Sequence, residues 1–346
     1  MNKIKTKLIV RIALLVGTAV SLFFVPWILV WAWVLPLSET VQEQVDEAIG
    51  HGFDGMIVYV DEAGKDPAFY AGGWKNREEK IPTDPHSLFK IGSIRKLYVA
   101  VAITKLVSAN RLSLDKTLAD YFPELVGRIE NADRITLRLM VQHRSGIPNY
   151  TDYPDFWNDP ENSRKDKLQF VLDLPANFEP DEDYEYSNTN YYLLAKLIDK
   201  TVGYSYHQYI KEEILNRLEL NNTYSSLSEV NIDDLMSGYY VGYDEDIKTN
   251  DYGMMIATAE DVGIFLLALN DGSVFDEGEQ EIYSSIYKYE HGGLIPGYQC
   301  LAEYHEDIDA VVVQFVNTTN FDGYEWNLSE IVLNRIVEIL RSEESS

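Results

Sequence analysis

The N-terminal end of the chain is a short basic segment followed by a long uncharged apolar stretch. Of all the features of the sequence, this one most restricts the folds that the chain can adopt. Four basic residues lie within the first eleven positions, and no charged residue occurs from position 12 to position 37. This stretch of about 26 residues would make roughly 39 Å of helix, enough to cross about 30 Å of hydrocarbon with some tilt. Trp27, Trp31 and Trp33 lie near its end, where indole rings favour the membrane–water interface. The sequence therefore predicts one transmembrane helix over residues 12–37.

The distribution of positive charge predicts the orientation of that helix. Basic residues stay on the cytoplasmic side, so residues 1–11 are expected to form a cytoplasmic basic head. Residues 38–346 are then an extracytoplasmic domain of a single-pass membrane protein. The alternative is a cleaved signal peptide, which would have a shorter apolar region and a small-x-small cleavage site. Residues 33–37 offer no such site, which favours an uncleaved anchor.

Composition excludes several other classes of protein. A chain of 346 residues with 46% hydrophobic residues can bury a sizeable core. The formal net charge of -27 makes a nucleic-acid partner unfavourable, because such a surface repels phosphate. The single cysteine, Cys300, excludes an internal disulfide and a cysteine-based metal site.

Strand-like and helix-like segments alternate in a way that predicts the fold class. Residues rich in β-branched and aromatic types occupy 55–60, 67–71, 299–304 and 310–316. Helices are expected after a cap at Ser38-Glu39-Thr40, at 97–107 and at 328–340, and residues from about 112 to 250 are largely helical in pattern. We therefore expect an α+β fold, in which both ends complete one antiparallel sheet flanked by helices and the middle is an inserted, mainly helical lobe.

The first candidate for chemistry is a serine three residues before a lysine. Ser93 and Lys96 open a predicted helix, where this spacing places both side chains on one face. The helix N-terminus also directs backbone N–H groups and partial positive charge at that point. A lysine whose own charge is partly suppressed can activate the serine as a nucleophile. By itself Ser-x-x-Lys is a weak signal, because it occurs by chance in many proteins.

Two further motifs follow in order along the chain. Tyr186-Ser-Asn188 alone would be a loop with an Asx turn, and His291-Gly-Gly293-Leu294 alone would be a glycine-rich turn beside a strand. Each is ordinary when taken singly. The occurrence of all three motifs in this order is much more specific.

Together the motifs resemble the serine β-lactamase-like, penicillin-binding family. This version is similar to the branch that contains class C β-lactamases, D-Ala-D-Ala carboxypeptidases, D-aminopeptidases and related esterases. In that branch the second motif is Tyr-x-Asn and the third can be His-x-Gly. Segments 112–115, 142–148 and 257–261 are also similar to family flanks, and the resemblance covers roughly residues 53–340.

Three departures from the family pattern bear on substrate range. Asp181 follows Pro180 where the family usually has glycine, although aspartate tolerates a left-handed turn better than most residues. Met254 stands where a second glycine is common, and Arg144 replaces a usual threonine. None of them removes a catalytic group.

The resemblance implies acyl transfer through a covalent intermediate. Ser93 would attack a carbonyl, and Lys96 and Tyr186 would share a proton network in which either is the base. A neighbouring ammonium would lower the phenol's pKa and make tyrosinate a plausible base.

The remaining motif residues are implied to bind substrate. Asn188 would hydrogen-bond Lys96 and the substrate amide, and the N–H of Leu294, after Gly293, would complete an oxyanion hole with that of Ser93. His291 would hold a substrate carboxylate as the imidazolium, its pKa raised by a neighbouring carboxylate, or relay a proton. No metal or organic cofactor is required.

The expected function is a membrane-anchored serine hydrolase acting on D-amino-acid peptides, amides or esters. The His-x-Gly motif favours peptidase and esterase relatives over a β-lactamase, which usually has Lys-Thr-Gly and stays the alternative among enzymes. An inactive scaffold or an antibiotic sensor is the alternative from another class, but about eleven inner residues are too few for a signalling domain. The partners are a small-molecule or peptide substrate and the membrane, and the oligomeric state stays open.

Overall fold

The N-terminal apolar stretch forms two helices. The structure, a computed structural model, describes residues 3–157, 159, 162 and 165–344, so the first two residues of the predicted head and the last two of the chain lie outside it. Helix α1 (Lys3–Leu22) and helix α2 (Trp27–Val34) are separated by a break. In the described ranges no single helix is long and apolar enough to cross a membrane; Arg11–Leu22 and α2 could do so only as a pair bent by 80°.

The predicted single transmembrane helix is therefore wrong, and Pro26 supplies the reason. Pro26 directly precedes α2 with φ -74 and ψ 78, which is not a helical conformation. Proline has no N–H to donate to the preceding turn and disfavours helix in the residue before it. The sequence was expected to tolerate a kink at this point, but the helix ends instead.

The chain then enters a β-meander through a short helix. Helix α3 (Val41–Gly50) begins after Thr40, whose side chain accepts a hydrogen bond from the N–H of Glu43. The strands that follow are β1 (Gly55–Glu62), β2 (Ala68–Asn76) and β3 (Ile81–Pro82).

In the residues that the structure describes, eight strands and eight α-helices follow β3. In sequence order the strands are β4 (Phe89–Lys90), β5 (Thr223–Tyr224), β6 (Tyr239–Tyr240), β7 (Ile256–Ala257), β8 (His291–Ile295), β9 (Tyr298–His305), β10 (Ala310–Val316) and β11 (Thr318–Thr319). The helices in the described ranges are α4 (Arg95–Ser108), α5 (Leu118–Tyr121), α6 (Leu137–Val141), α7 (Asn188–Val202), α8 (Tyr206–Ile210), α9 (Ala259–Asn270), α10 (Glu279–Ser284) and α11 (Glu325–Glu344).

The main sheet has six strands in the order β3-β2-β1-β10-β9-β8. All its pairs are antiparallel, and β1 lies beside β10 with Met56 opposite Val316. Strands from both ends of the sequence thus complete one sheet, and the predicted α+β class is confirmed. One detail differs, because the His291 motif is the edge strand β8 rather than a glycine-rich turn.

Each face of the sheet is covered by helices. Helices α3, α11 and part of α2 pack on one face, where Val45, Val332 and Ala32 belong to a common apolar core. Helices α4 and α9 and the segments between them pack on the other face in a larger core. Between residues 112 and 250, α5 to α8 alternate with 3-10 turns and two-residue strands, so this part is less helical than predicted; five of its residues lie outside the described ranges.

Candidate active site

The serine of the first motif lies at the junction between β4 and α4. It belongs to a 3-10 turn, Gly92–Ile94, directly before the first turn of α4. Gly92 has φ +53, and a Cβ built on it would lie 3.2 Å from the backbone N of Leu294. This glycine therefore allows both the left-handed backbone and the close approach of the nucleophile turn to β8.

Three predicted residues converge on one oxygen atom. The Oγ of Ser93 lies 3.0 Å from Nζ of Lys96 and 2.6 Å from the hydroxyl of Tyr186. Lys96 is almost completely buried, and its Nζ lies 4.8 Å from the centre of the Tyr186 ring. The serine hydroxyl thus has two proton-exchanging groups within hydrogen-bond reach, as nucleophilic catalysis requires.

The fourth motif residue orients the lysine. Lys96 donates to Oδ1 of Asn188 at 2.7 Å, and Nδ2 of Asn188 donates to Oδ1 of Asn149 at 3.2 Å and to Oγ1 of Thr151 at 3.3 Å. Asn149 also accepts the backbone N–H of Asn188. Sequence reasoning missed Asn149 and Thr151, although both directly follow the 142–148 flank.

Burial determines the protonation of the two candidate bases. Desolvation, followed by the nearby charges of Arg95 and Lys288, holds the pKa of Lys96 well below its ordinary value. Desolvation raises the pKa of Tyr186, although the hydrogen bond with Ser93 and the charge of Arg95 oppose it. The expectation that an ammonium lowers the phenol's pKa is wrong in its net sign, because removal from water is the larger effect.

A histidine of the 142–148 flank supports Tyr186 from behind. The His143 ring stacks on Tyr186 with centroids 4.5 Å apart, and its Nδ1 accepts the backbone N–H of Ser187 at 3.1 Å. Burial is the largest cause that lowers the pKa of His143, to about 3. This histidine is therefore a neutral packing partner of the motif.

His291 lies at the start of β8 and lines the cavity that contains Ser93. Its Nε2 lies 3.0 Å from the hydroxyl of Tyr287. Burial, with the charges of Lys288 and Lys96, holds the pKa of His291 well below its ordinary value. The predicted imidazolium with a raised pKa is therefore wrong, because burial is the largest effect on the pKa of His291 and the nearby charges are cations rather than a carboxylate.

Lys288 is a cation of the site that sequence reasoning missed. It lines both the cavity of about 440 Å³ around Ser93 and an adjoining one of about 330 Å³ beside His143. Within the part of the chain that the structure describes, its ammonium has no hydrogen-bond or salt-bridge partner. A lysine three residues before the His-x-Gly motif was the only available signal, and lysines on loops are common.

The glycines of the third motif allow tight packing behind the nucleophile. A Cβ on Gly293 would clash with the carbonyl oxygen of Ile91 and lie 2.5 Å from Sγ of Cys300. Cys300 is buried, and desolvation raises the pKa of its thiol, so the side chain packs there as a neutral thiol. Leu294 follows on the same strand and lines the Ser93 cavity.

Across residues 3–157, 159, 162 and 165–344, no group of three His, Cys, Asp or Glu side chains is placed to hold a metal ion.

A comparison with protein families agrees with this arrangement. The family model described as Beta-lactamase matches residues 37–285. The chain belongs to the beta-lactamase family. The matched segment contains the Ser93 and Tyr186 motifs and ends shortly before the third.

Two curated proteins are similar to part of the chain. Penicillin-binding protein 4* of Bacillus subtilis (strain 168) is 29% identical over 225 residues, covering 62% of this chain and 46% of that protein. Protein flp of Staphylococcus aureus (strain MW2) is 26% identical over 193 residues, covering 54% of this chain and 39% of that protein. The matches thus cover less than half the length of these curated relatives.

A solved structure shows the same fold over most of the chain. The D-amino acid amidase of Ochrobactrum anthropi SV3, complexed with L-phenylalanine amide, superposes with a TM-score of 0.74 at 21% identity. The superposition covers 88% of this chain and 98% of the amidase.

Two departures from the usual beta-lactamase-family pattern contact each other. Asp181 has φ +70, the left-handed turn expected of it. Arg144 donates from Nε to Oδ1 of Asp181 at 2.7 Å, and the backbone N–H of Asp181 donates to the carbonyl of Arg144 at 2.9 Å. The aspartate therefore keeps the turn, and the arginine holds it in place. The third departure, Met254, lines the Ser93 cavity.

Proposed function

We propose that the protein is a membrane-held serine hydrolase that cleaves D-amino-acid amides, esters or peptides through a covalent acyl-enzyme. The observation that carries this proposal is the position of Ser93 Oγ, within hydrogen-bond distance of both Lys96 and Tyr186. The chain's membership of the beta-lactamase family supports the same chemistry.

The first step is attack of Ser93 on the substrate carbonyl carbon. Because burial favours the neutral amine, Lys96 accepts the hydroxyl proton while it donates its own N–H to Asn188. Oγ forms the new bond, and the carbonyl oxygen becomes an oxyanion. The backbone N–H groups of Ser93 and Leu294 are the proposed donors to it.

The second step is loss of the leaving group. The C–N or C–O bond breaks, and the departing nitrogen or oxygen takes the phenolic proton of Tyr186, which the Lys96 ammonium then replaces. The high pKa of Tyr186 means that the phenol enters the cycle protonated, as a donor must. Water then attacks the ester on Ser93, and the same groups return the protons and release the acid.

Charge in the cavity favours a substrate with an anionic end. No carboxylate is among the described side chains that line the Ser93 cavity, in a chain with net charge -27, whereas Lys288 lies there. An unpartnered ammonium in a partly desolvated cleft attracts a carboxylate more strongly than it would in water. Burial lowers the pKa of Lys288, and the nearby Glu290 charge opposes that shift. We propose that Lys288, rather than His291, binds a substrate carboxylate.

The substrate class is supported by the likeness to the D-amino acid amidase. That structure contains L-phenylalanine amide, and aromatic side chains, Trp157, Phe321 and Trp326, also line the Ser93 cavity of this chain. The proposed substrates are a small D-amino-acid amide with an aromatic side chain and a short peptide that ends in a free carboxylate, and Lys288 would favour the peptide.

The membrane attachment is proposed from the N-terminal helices. The stretch from 12 to 37 is uncharged and follows a basic segment, which favours attachment to a membrane surface. The proposed position of the hydrolase domain is the outer side of that membrane, where cell-wall peptides and D-amino-acid compounds occur.

Covalent labelling tests the hydrolase. The purified protein is treated with a fluorophosphonate and, separately, with a labelled penicillin, and the modified peptide is identified by mass spectrometry. We expect label on Ser93, loss of label in Ser93→Ala, and unchanged label in the control Ser228→Ala, whose serine is exposed and outside the cleft. Full hydrolysis of D-amino-acid amides and esters by Ser93→Ala would disprove the mechanism.

A further inference from the structure

Helix α2 has two different faces, although none of its eight residues is charged. Ala32 is 1% exposed and, with the partly buried Leu29, packs into the core that contains α11. On the other side Trp27, Trp31 and Val34 are exposed. The outer face is therefore apolar and uncovered, while the inner face already belongs to the folded domain.

A buried arginine fastens the end of α2 to that domain. Arg335 of α11 donates to the carbonyl oxygen of Leu35 at 2.9 Å and to that of Pro36 at 2.6 Å. Its Nε donates to Oε1 of Gln44 at 2.7 Å. Since the side chain is almost fully buried, these bonds are protected from water and hold the residues after α2 against α3 and α11.

These contacts prevent α2 from lying at the depth of the hydrocarbon. A helix packed on a water-soluble domain cannot leave it without exposing Ala32 and freeing Arg335. We propose that α2 lies in the plane of the headgroup region of an anionic bilayer, with its Trp27–Trp31 face toward the acyl chains. This inference rests on the proposed membrane attachment, and it adds the depth and orientation at which the domain is held against the bilayer.

The charge pattern supports an anionic lipid surface as the occupant. Phe23 and Phe24, at the break before α2, are 88% and 78% exposed, and Lys7 and Arg11 are exposed on α1. The rest of the chain is strongly acidic, so the basic segment is the part of the chain that anionic lipids attract. Tryptophan favours the interface, where its ring is buried and its N–H stays near water. The basic helix and the aromatic face thus form one continuous attachment surface.

Depth-dependent fluorescence quenching distinguishes this placement from a spanning helix. The full chain is reconstituted in vesicles of phosphatidylcholine and phosphatidylglycerol whose acyl chains carry bromine at shallow or at deep positions. The signals of Trp27 and Trp31 are obtained by difference from Trp27→Phe and Trp31→Phe, and Trp157→Phe serves as the control for a tryptophan in the active-site cleft. Vesicle flotation measures attachment in the same samples.

We expect Trp27 and Trp31 to be quenched at the same shallow depth and Trp157 not to be quenched. In a spanning helix the two indoles, four residues apart, would differ in depth by about 6 Å, and that result would overturn the inference while attachment stands. Flotation with no quenching of either indole would also overturn it. A full chain that does not float would reject the membrane attachment itself, and labelling of Ser93 would still test the hydrolase separately.

Discussion

Two side chains around Ser93 show how burial sets the chemistry at the scale of single residues. Lys96 and Tyr186 are both removed from water, and burial shifts the pKa of each toward the neutral form. A neutral amine can take a proton and a neutral phenol can give one. We therefore propose that Lys96 is a base and Tyr186 an acid on either side of one hydroxyl before any substrate binds.

The pH dependence of acylation follows from this assignment. We expect an acid limb in the pH profile of kcat/KM whose apparent pKa lies well below the ordinary lysine value of 10.5, because protonation of Lys96 removes the base as pH falls. Lys96→Arg should lower kcat/KM by about 10²–10⁴-fold, the usual contribution of a general base. The control Lys116→Arg, an exposed lysine outside the site, should change nothing. If Tyr186→Phe lost the acid limb and Lys96→Arg retained it, Tyr186 rather than Lys96 would be the base.

Substrate selectivity at the same scale depends on Lys288. Lys288→Gln should weaken substrates with a free carboxylate by about 1.5–3 kcal/mol, the worth of a hydrogen bond to a charged group, and leave neutral esters unaffected. Lys288→Arg should retain the preference. Steady-state kinetics on a matched acid and ester measure both effects, with Lys116→Gln as the control. Equal losses on both substrates would show that Lys288 acts on stability or on Lys96.

His291 is expected to respond differently from Lys288. Since burial lowers the pKa of its imidazole and keeps it neutral, the affinity for carboxylate substrates should not fall as pH rises through the usual histidine range. His291→Gln should affect acid and ester substrates alike, through the contact with Tyr287. Binding constants measured across that pH range for a matched acid and ester check both statements, and a selective loss for the acid would restore carboxylate recognition to His291.

At the scale of elements, the site depends on how closely β8 approaches the turn that contains Ser93. Gly92 and Gly293 face each other at this contact, and neither position has room for a side chain. The backbone nitrogen of Leu294 lies close to Gly92, next to the nucleophile, and strand pairing with β9, where Leu294 lies opposite Gln299, fixes its position. The proposed oxyanion hole is thus a product of sheet register.

Gly293→Ala tests this dependence on close approach. The added methyl would clash with Ile91 and Cys300, and overpacking of this kind typically costs about 1–3 kcal/mol. We expect kcat to fall more than KM changes, because the oxyanion donors act in the transition state. Gly50→Ala is the control, since a Cβ there meets no atom within 4 Å. Urea unfolding and steady-state kinetics check both variants, and full activity in Gly293→Ala would argue against the hole.

At the scale of the whole molecule, the two N-terminal helices differ in their relation to the folded domain. Helix α1 leaves the domain, while α2 and residues 35–36 pack on α11 through Ala32 and Arg335. An anchor that ended at residue 37 would have no such contacts. The boundary between anchor and domain therefore lies nearer Pro26 than Ser38.

Two truncated proteins test where that boundary lies. A chain that begins at Trp27 should be more stable than one that begins at Ser38 by about 1–3 kcal/mol, since the shorter chain leaves two buried N–H groups of Arg335 without acceptors. Both should hydrolyse substrate at the same rate, because the cleft lies elsewhere. Thermal and urea unfolding measure the difference, and Arg335→Gln should reduce it. Equal stability of the two chains would restore the boundary at 38.

Local patterns in the sequence determined much of this protein. Alternation of β-branched and aromatic residues located β1, β2, β9 and β10 because the side-chain period of a strand is two. The cap at Thr40 located α3, and three ordered motifs selected Ser93, Lys96, Tyr186 and Asn188. These signals are local, since each depends on residues within one or two turns of the chain.

Tertiary structure decided what depends on residues distant in sequence. The protonation of Lys96 and His291 depends on burial. That burial is produced by segments nearly two hundred residues apart in the sequence, so the spacing of residues within a motif cannot predict it. Lys288 is a candidate for substrate binding only because the fold brings it into the cavity that contains Ser93. Likewise, Arg335 holds residues three hundred positions earlier, so only the folded chain shows that α2 belongs to the domain.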